Sequence, residues 1–239
     1  MNFEVLTLFP RSLEAVFSES IIGRAAAKGA ISVKCTDIRD YTKDKHRRVD
    51  DTPYGGGYGM VMMCQPVVDC IRDVKSRMNG TTRVIYMSPQ GSLFDQKKAE
   101  ELTQYDNLIL LCGHYEGIDE RIIELEVDEE ISVGNYVLTG GELPAAIVVD
   151  SVSRLIDGVL PSPECYTDES LQNGLLEHPQ YTRPRVFEGL EVPEVLVNGD
   201  HAKQRRWKEE QSRLRTAKKR PDLLNITENN DEQGEEKRK

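Results

Sequence analysis

The first 156 residues alternate short apolar runs with longer amphipathic ones. Residues 3–8 (Phe-Glu-Val-Leu-Thr-Leu) have the β-branched and apolar character of a buried strand, stopped by Pro10. Residues 12–28 read as a helical region capped at Ser12 and closed near Gly29. A second strand over 31–38 and a helix over 66–78 follow, then a third strand over 83–88, turned at its end by Pro89-Gln90-Gly91. A helix over 95–104 leads to residues 108–112 (Leu-Ile-Leu-Leu-Cys), apolar without interruption. Such a strand must be covered on both faces, as in a parallel sheet. Residues 118–125 form a short helix, 130–133 a fifth strand and 145–156 an apolar helix. This recurrence predicts an α/β domain, a parallel sheet with helices on both faces.

In such sheets ligands sit beyond the C-terminal ends of the strands. Three turns from consecutive strands fall there, at 88–91, 113–117 and 134–141. The last belongs to residues 132–144, Ser-Val-Gly-Asn-Tyr-Val-Leu-Thr-Gly-Gly-Glu-Leu-Pro, where glycines bend the chain around an apolar middle. Taken alone it is a buried turn between a strand and a helix. Beside the other two it becomes a wall of one pocket, suited to a flat, partly apolar ligand held by main-chain groups. No G-x-G-x-x-G fingerprint follows any strand, which argues against an ordinary dinucleotide site. Residues 39–60 form a polar loop ending in Tyr54-Gly55-Gly56-Gly57-Tyr58-Gly59-Met60, with no Gly-Lys-Ser/Thr to make it a P-loop.

After residue 156 the periodicity breaks. Residues 157–173 read as linker, 174–185 are rich in proline, aromatic and basic side chains, and 201–219 form a basic helix carrying the only tryptophan, Trp207. The expected organisation is a domain over 1–158, a flexible linker over 159–176, a small, mostly helical domain over 177–226 and a disordered polar tail over 227–239.

The net charge of −10 is unevenly spread. Residues 116–130 carry eight acidic side chains against one basic, whereas 201–220 carry nine basic against two acidic. One end of the chain can therefore grip a polyanion although the whole is acidic. Five cysteines without a C-x-x-C pair argue against a disulfide framework or a zinc cluster. No apolar run approaches the roughly 20 residues of a membrane span, and a cytoplasmic protein is expected.

Several motifs in order carry a resemblance over nearly the whole chain: Asp44-Lys45-His46 with Val49-Asp50-Asp51, Pro53-Tyr54-Gly55-Gly56-Gly57, Ser88-Pro89-Gln90-Gly91, Cys112-Gly113-His114-Tyr115-Glu116-Gly117-Ile118-Asp119-Glu120-Arg121, Tyr136-Val137-Leu138-Thr139-Gly140-Gly141-Glu142-Leu143-Pro144, Pro179-Gln180-Tyr181-Thr182-Arg183-Pro184 and Arg220-Pro221-Asp222-Leu223-Leu224. Together they resemble the bacterial tRNA (guanine-N1)-methyltransferase family of the knotted SPOUT superfamily. The resemblance implies a deep trefoil knot in the C-terminal part of the α/β domain and a homodimer whose active sites use both subunits. It implies S-adenosylmethionine bound in the knot by Tyr86, Ser88, Pro89 and Gln90, by Gly113, Tyr115, Glu116 and Gly117, and by Val133, Gly134, Asn135, Tyr136, Val137, Leu138, Gly140, Gly141 and Pro144. Glu116 is expected to face the methionine end, with Mg2+ as an optional companion; no protein-held metal site is expected. The implied substrate is tRNA, met by His46, Asp50, Gly56, Gly59, Ser170, Arg183, Arg185, Lys218, Lys219 and Arg220.

By the same resemblance the methyl group goes to N1 of the guanosine 3′ of the anticodon. That nitrogen is protonated at neutral pH, and losing its proton pushes negative charge onto O6, so a base near N1 and a cation near O6 are needed. Matching assigns the cation to Arg154. The family's base is an aspartate just before a serine; here Ser170 follows Glu169, with Asp168 one residue earlier. Position favours Glu169, with Asp168 as the alternative. Tyr58 and Asn135 replace the family's usual proline and aspartate. Competing readings are a tRNA-binding protein that has lost turnover and a ribose 2′-O-methyltransferase of the same superfamily.

Overall fold

In the computed structural model, which describes residues 1–162 and 169–224, five strands form one parallel sheet. In chain order they are β1 (Asn2–Thr7), β2 (Ser32–Asp37), β5 (Thr82–Leu93), β6 (Asn107–Cys112) and β7 (Glu129–Ser132), arranged β2-β1-β6-β5-β7. Two-residue strands β3 (Asp50–Asp51) and β4 (Val61–Met62) pair antiparallel in a separate ribbon. The helices of this region are α1 (Pro10–Ser18), α2 (Ser20–Ala27), α3 (Cys64–Ser76), α4 (Gln96–Leu102), α5 (Glu120–Glu126) and α6 (Glu142–Ser153).

The uninterrupted run in the sequence is β6, the central strand, and all of its residues are buried. Its side chains alternate between two cores, as the pleat requires. Leu108, Leu110 and Cys112 pack with Phe3, Val5 and buried residues of α1, α2, α4 and α6. Ile109 and Leu111 pack with Val84, Tyr86 and buried residues of α3 and α5. Helices therefore cover both faces, and the α/β expectation from β6 holds.

Three local readings change. The helical region over 12–28 is two helices, beginning at Pro10, whose fixed φ suits a first helical position. Ser12 is thus inside the first turn, its hydroxyl donating to the Phe9 carbonyl at 2.7 Å. The third strand does not end at Pro89. It arches out over residues 88–91 and resumes, so that Met87 and Ser92 both lie opposite Ile131. A bulge on this scale leaves no trace in a period-two pattern.

The chain divides into two compact units, Met1–Pro163 and Glu164–Lys239. Asp168 and the tail over 227–239 lie outside the described residues. In the second unit α7 (His201–Lys219) occupies the predicted basic helix, with Asp200 as its cap, accepting from the Lys203 N–H at 3.1 Å. A short hairpin, β8 (Val186–Phe187) with β9 (Leu190–Glu191), precedes it. Trp207 packs edge-on to His178 and tilted to Tyr181, each at 6.5 Å between ring centroids, which holds the proline-rich segment to the helix. Among the described residues no helix is long and apolar enough to cross a membrane.

Leu110→Ala, which empties space at the sheet centre, is expected to cost about 2–5 kcal/mol. Leu125→Ala on the exposed side of α5 is expected to stay within about 0.5 kcal/mol. Denaturant midpoints check the pair, and equal shifts would place the core elsewhere.

Candidate functional site

The arch within β5 and the turns that follow β6 and β7 close on one another. The Gly141 N–H donates to the Gly113 carbonyl at 3.0 Å. At Gly141 an added Cβ would lie 2.6 Å from the Cys112 Cα, so only a residue without a side chain lets these two stretches of backbone pass. The space they enclose is a cavity of about 290 Å³. Every residue expected to hold the cofactor lines it except Asn135. That residue is exposed at the apex of a three-residue turn closed by the Tyr136 N–H donating to the Gly134 carbonyl at 2.9 Å, which carries its side chain outward. Its difference from the family's aspartate therefore leaves the lining unchanged.

The lining also takes in His114, Ile118, Glu120 and Thr139, which pattern reading passed over. All four lie inside or beside the recognised motifs, but nothing in their spacing marks them as inward-facing. His114 stacks obliquely on Phe9 at 5.0 Å and meets Tyr115 edge-on at 5.2 Å. Its Nδ1 is buried with no hydrogen-bond partner among the described residues, a group that a ligand in the cavity would satisfy. Tyr115 itself holds a φ of +60°, uncommon for a non-glycine residue and a mark of strain at ligand sites.

The charged side chains lining the cavity are of one sign. Glu116 and Glu120 line it, and among the described residues no lysine or arginine does. Tyr86 is buried, and desolvation with Glu130 and Glu120 nearby pushes its hydroxyl up to about 12, so it remains a neutral hydrogen-bonding group. A negative, half-apolar cavity of this size suits a small organic cation and repels a bare phosphate. S-adenosylmethionine, with its sulfonium and ammonium, fits those donors, acceptors and charges.

A fourth loop is stitched to the same place. The Glu116 N–H donates to the Met60 carbonyl and the Met62 N–H to the Gly117 carbonyl, each at 3.0 Å. Gly59, at φ +89°, approaches so near that a Cβ would stand 2.4 Å from the Glu116 Cγ. Asp50 pairs with Met62, and Met62 bridges to Ile118. Asp50 is thus two strand spacings, roughly 10 Å, from the Gly117 turn. Gly59 and Asp50 are brought beside the cavity. His46 and Gly56 are exposed on that loop and do not line it.

Arg154 is the half-buried C-cap of α6. Pro144, at the other end of the helix, lines the cavity, so Arg154 stands about 15 Å along the axis from it. The outer face of α6 is apolar and open: Leu143 is 62 % exposed and Ile147 42 % exposed. Arg154 follows these two on the same side, at i+11 and i+7.

In the second unit Glu169 is half-buried and borders a groove of about 570 Å³ against α7 that also includes Arg205 and Lys208. Ser170 accepts the Glu177 N–H at 2.9 Å. Arg183 and Arg185 are exposed, as are Lys218 and Lys219 in the last turn of α7. Arg220 is held by Asp222, with Nη2 to Oδ2 at 2.7 Å and Nε to Oδ1 at 2.9 Å, so its charge is shared within the chain. Among the described residues no group of three or more His, Cys, Asp or Glu could hold a metal ion.

The model of the family described as "tRNA (Guanine-1)-methyltransferase TrmD" matches residues 1–226. A tRNA (guanine-N(1)-)-methyltransferase of Ruminiclostridium cellulolyticum is 58% identical over 225 residues, covering 94% of this chain and 97% of the relative. One from Caldanaerobacter subterraneus subsp. tengcongensis is 54% identical over 231 residues, 95% of each chain. A third, from Clostridium botulinum, is 54% identical over 224 residues, 94% of this chain and 92% of the relative. With the family match covering the three converging turns and nearly all of both units, the chain belongs to the TrmD family of tRNA (guanine-1)-methyltransferases.

Proposed function

We propose that this protein transfers a methyl group from S-adenosylmethionine to N1 of the guanosine immediately 3′ of the tRNA anticodon. The observation that carries the reading is the cavity at the three turns, lined by Glu116 and Glu120 and, among the described residues, by no lysine or arginine. Main chain over 133–138 would meet the adenine and ribose, and the Glu116 side would meet the methionine ammonium. When bound, the cofactor supplies an electrophilic methyl on a sulfonium. Any Mg2+ beside Glu116 would complete its shell from ligand, substrate and water oxygens. A deep trefoil knot is part of the reading, supported by the tight crossing of Gly141 past Cys112.

The protein's own work is to expose a nucleophile. Glu169 takes the proton from guanine N1, and the N1 lone pair is then free to attack the methyl group. The negative charge that moves onto O6 meets the guanidinium of Arg154. Within one chain Arg154 stands a helix length from Pro144 in the cavity wall, beyond the reach of its side chain. A second copy packed on the exposed Leu143 and Ile147 face of α6 would carry its Arg154 to the first copy's cavity. The active site is therefore shared between two copies. Exposed basic groups of the second unit hold tRNA phosphates.

Incubation with methyl-labelled cofactor and a tRNA carrying guanosine after the anticodon is expected to label that base at N1, located by mass spectrometry. Label on ribose would favour the 2′-O reading, and binding without transfer the inactive one. Glu169→Gln should lower the rate by roughly 10²-fold or more. A silent Glu169→Gln beside a damaging Asp168→Asn would move the base to Asp168.

Replacing Lys218 and Lys219 with alanine should flatten the salt dependence of tRNA binding by about 0.7–0.9 for each phosphate that is no longer neutralised. Arg220→Ala should change it less, because Asp222 already shares that charge. An unchanged slope in the double variant would remove the end of α7 from the RNA footprint.

A further inference from the structure

We propose that Thr216 and Ser212 are positioning residues for the catalytic carboxylate, resting on the assignment of Glu169 as the base. Thr216 is the one buried residue of the nineteen in α7. A hydroxyl at the sole buried position of a helix is there for its hydrogen bonds, because burial without them is costly. Its Oγ1 donates to the Ser212 carbonyl one turn back at 2.8 Å, which turns a lone pair outward. That lone pair accepts the Leu176 N–H at 2.8 Å. The Ser212 hydroxyl donates to the Leu176 carbonyl. Both backbone polar groups of Leu176 are thus bonded by side chains of α7.

Leu176 ends a loop that is closed on itself. The Glu177 N–H donates to the Ser170 Oγ at 2.9 Å, and the Leu171 N–H to the Leu175 carbonyl at 2.8 Å. Glu169 is the residue immediately before this loop. Its backbone is consequently set by α7, the helix whose C-terminal end carries Lys218 and Lys219. The carboxylate travels with the unit that grips RNA, and the clamp converts that grip into a defined placement of the base. Misplacing a reacting group by about 1 Å costs on the order of 10²-fold in rate.

The test is a double-mutant cycle on the full-length protein, read by single-turnover rate and by separate affinities for cofactor and tRNA. Thr216→Val keeps the side chain's shape and removes the acceptor. It is expected to slow methyl transfer by roughly 10- to 100-fold, with both affinities within about twofold of wild type. Thr216→Ser should restore the rate. Acting through the base, Thr216→Val should slow Glu169→Gln no further. A wild-type rate in Thr216→Val, or losses that multiply in the double variant, would overturn the clamp while leaving the base assignment intact. Full activity in Glu169→Gln would overturn both. Should Thr216→Val fail to fold, Ser212→Ala is read in the same cycle with the same outcomes.

Discussion

The constraint on which the cavity of the first unit depends is the passage of Gly141 beside Cys112 and Gly113. One hydrogen bond, from the Gly141 N–H to the Gly113 carbonyl, joins two turns that lie 28 residues apart in sequence. It is possible because no side chain stands between the backbones. If this crossing opened, the turns after β6 and β7 would separate, and with them the cavity wall, the seat of His114 and the start of α6. The Gly-rich loop depends on it in turn, because Met60 and Met62 are bonded to the Glu116 and Gly117 backbone.

Electrostatics divides the chain between its two jobs. The cavity is lined by acidic side chains and suits a cation, while the last turn of α7 is basic and suits a polyanion. Much of the acidity over 116–130 is tied up in the scaffold rather than aimed at a ligand. Glu126 pairs with Arg72 and Lys75, and Glu129 with Arg83 and Lys98. Glu116 and Glu120 are the members that reach the cavity.

What the sequence revealed follows from what periodicity can encode. The unbroken apolar character of residues 108–112 announced a strand covered on both sides, and β6 is that strand. Glycine and proline punctuation located all three turns, which supply most of the cavity lining, while Met87, Ile131 and Ser132 join it from the strands and Ile123 from α5. The arch in β5 stayed hidden, since residues 88–91 leave the ladder and rejoin it without breaking the composition of a strand. The split at Ser18 to Ser20 was equally silent, because both helices keep an apolar side. His114 and Glu120 escaped because which way a turn residue faces is decided by tertiary contacts. Thr216 could not have been found at all: a threonine in a basic helix looks solvent-facing until Leu176 is laid against it.

The central claim is that the cavity made by the crossing at Gly141 holds S-adenosylmethionine. Calorimetric titration of that cofactor into the full-length protein and into Gly141→Ala tests it most directly, since the added methyl would press on the Cys112 backbone. Binding to the wild type is expected, with a loss of roughly tenfold or more in the variant, about 1.4 kcal/mol, while the variant still unfolds cooperatively. Equal affinity for the two proteins, or no binding to the wild type, would contradict it.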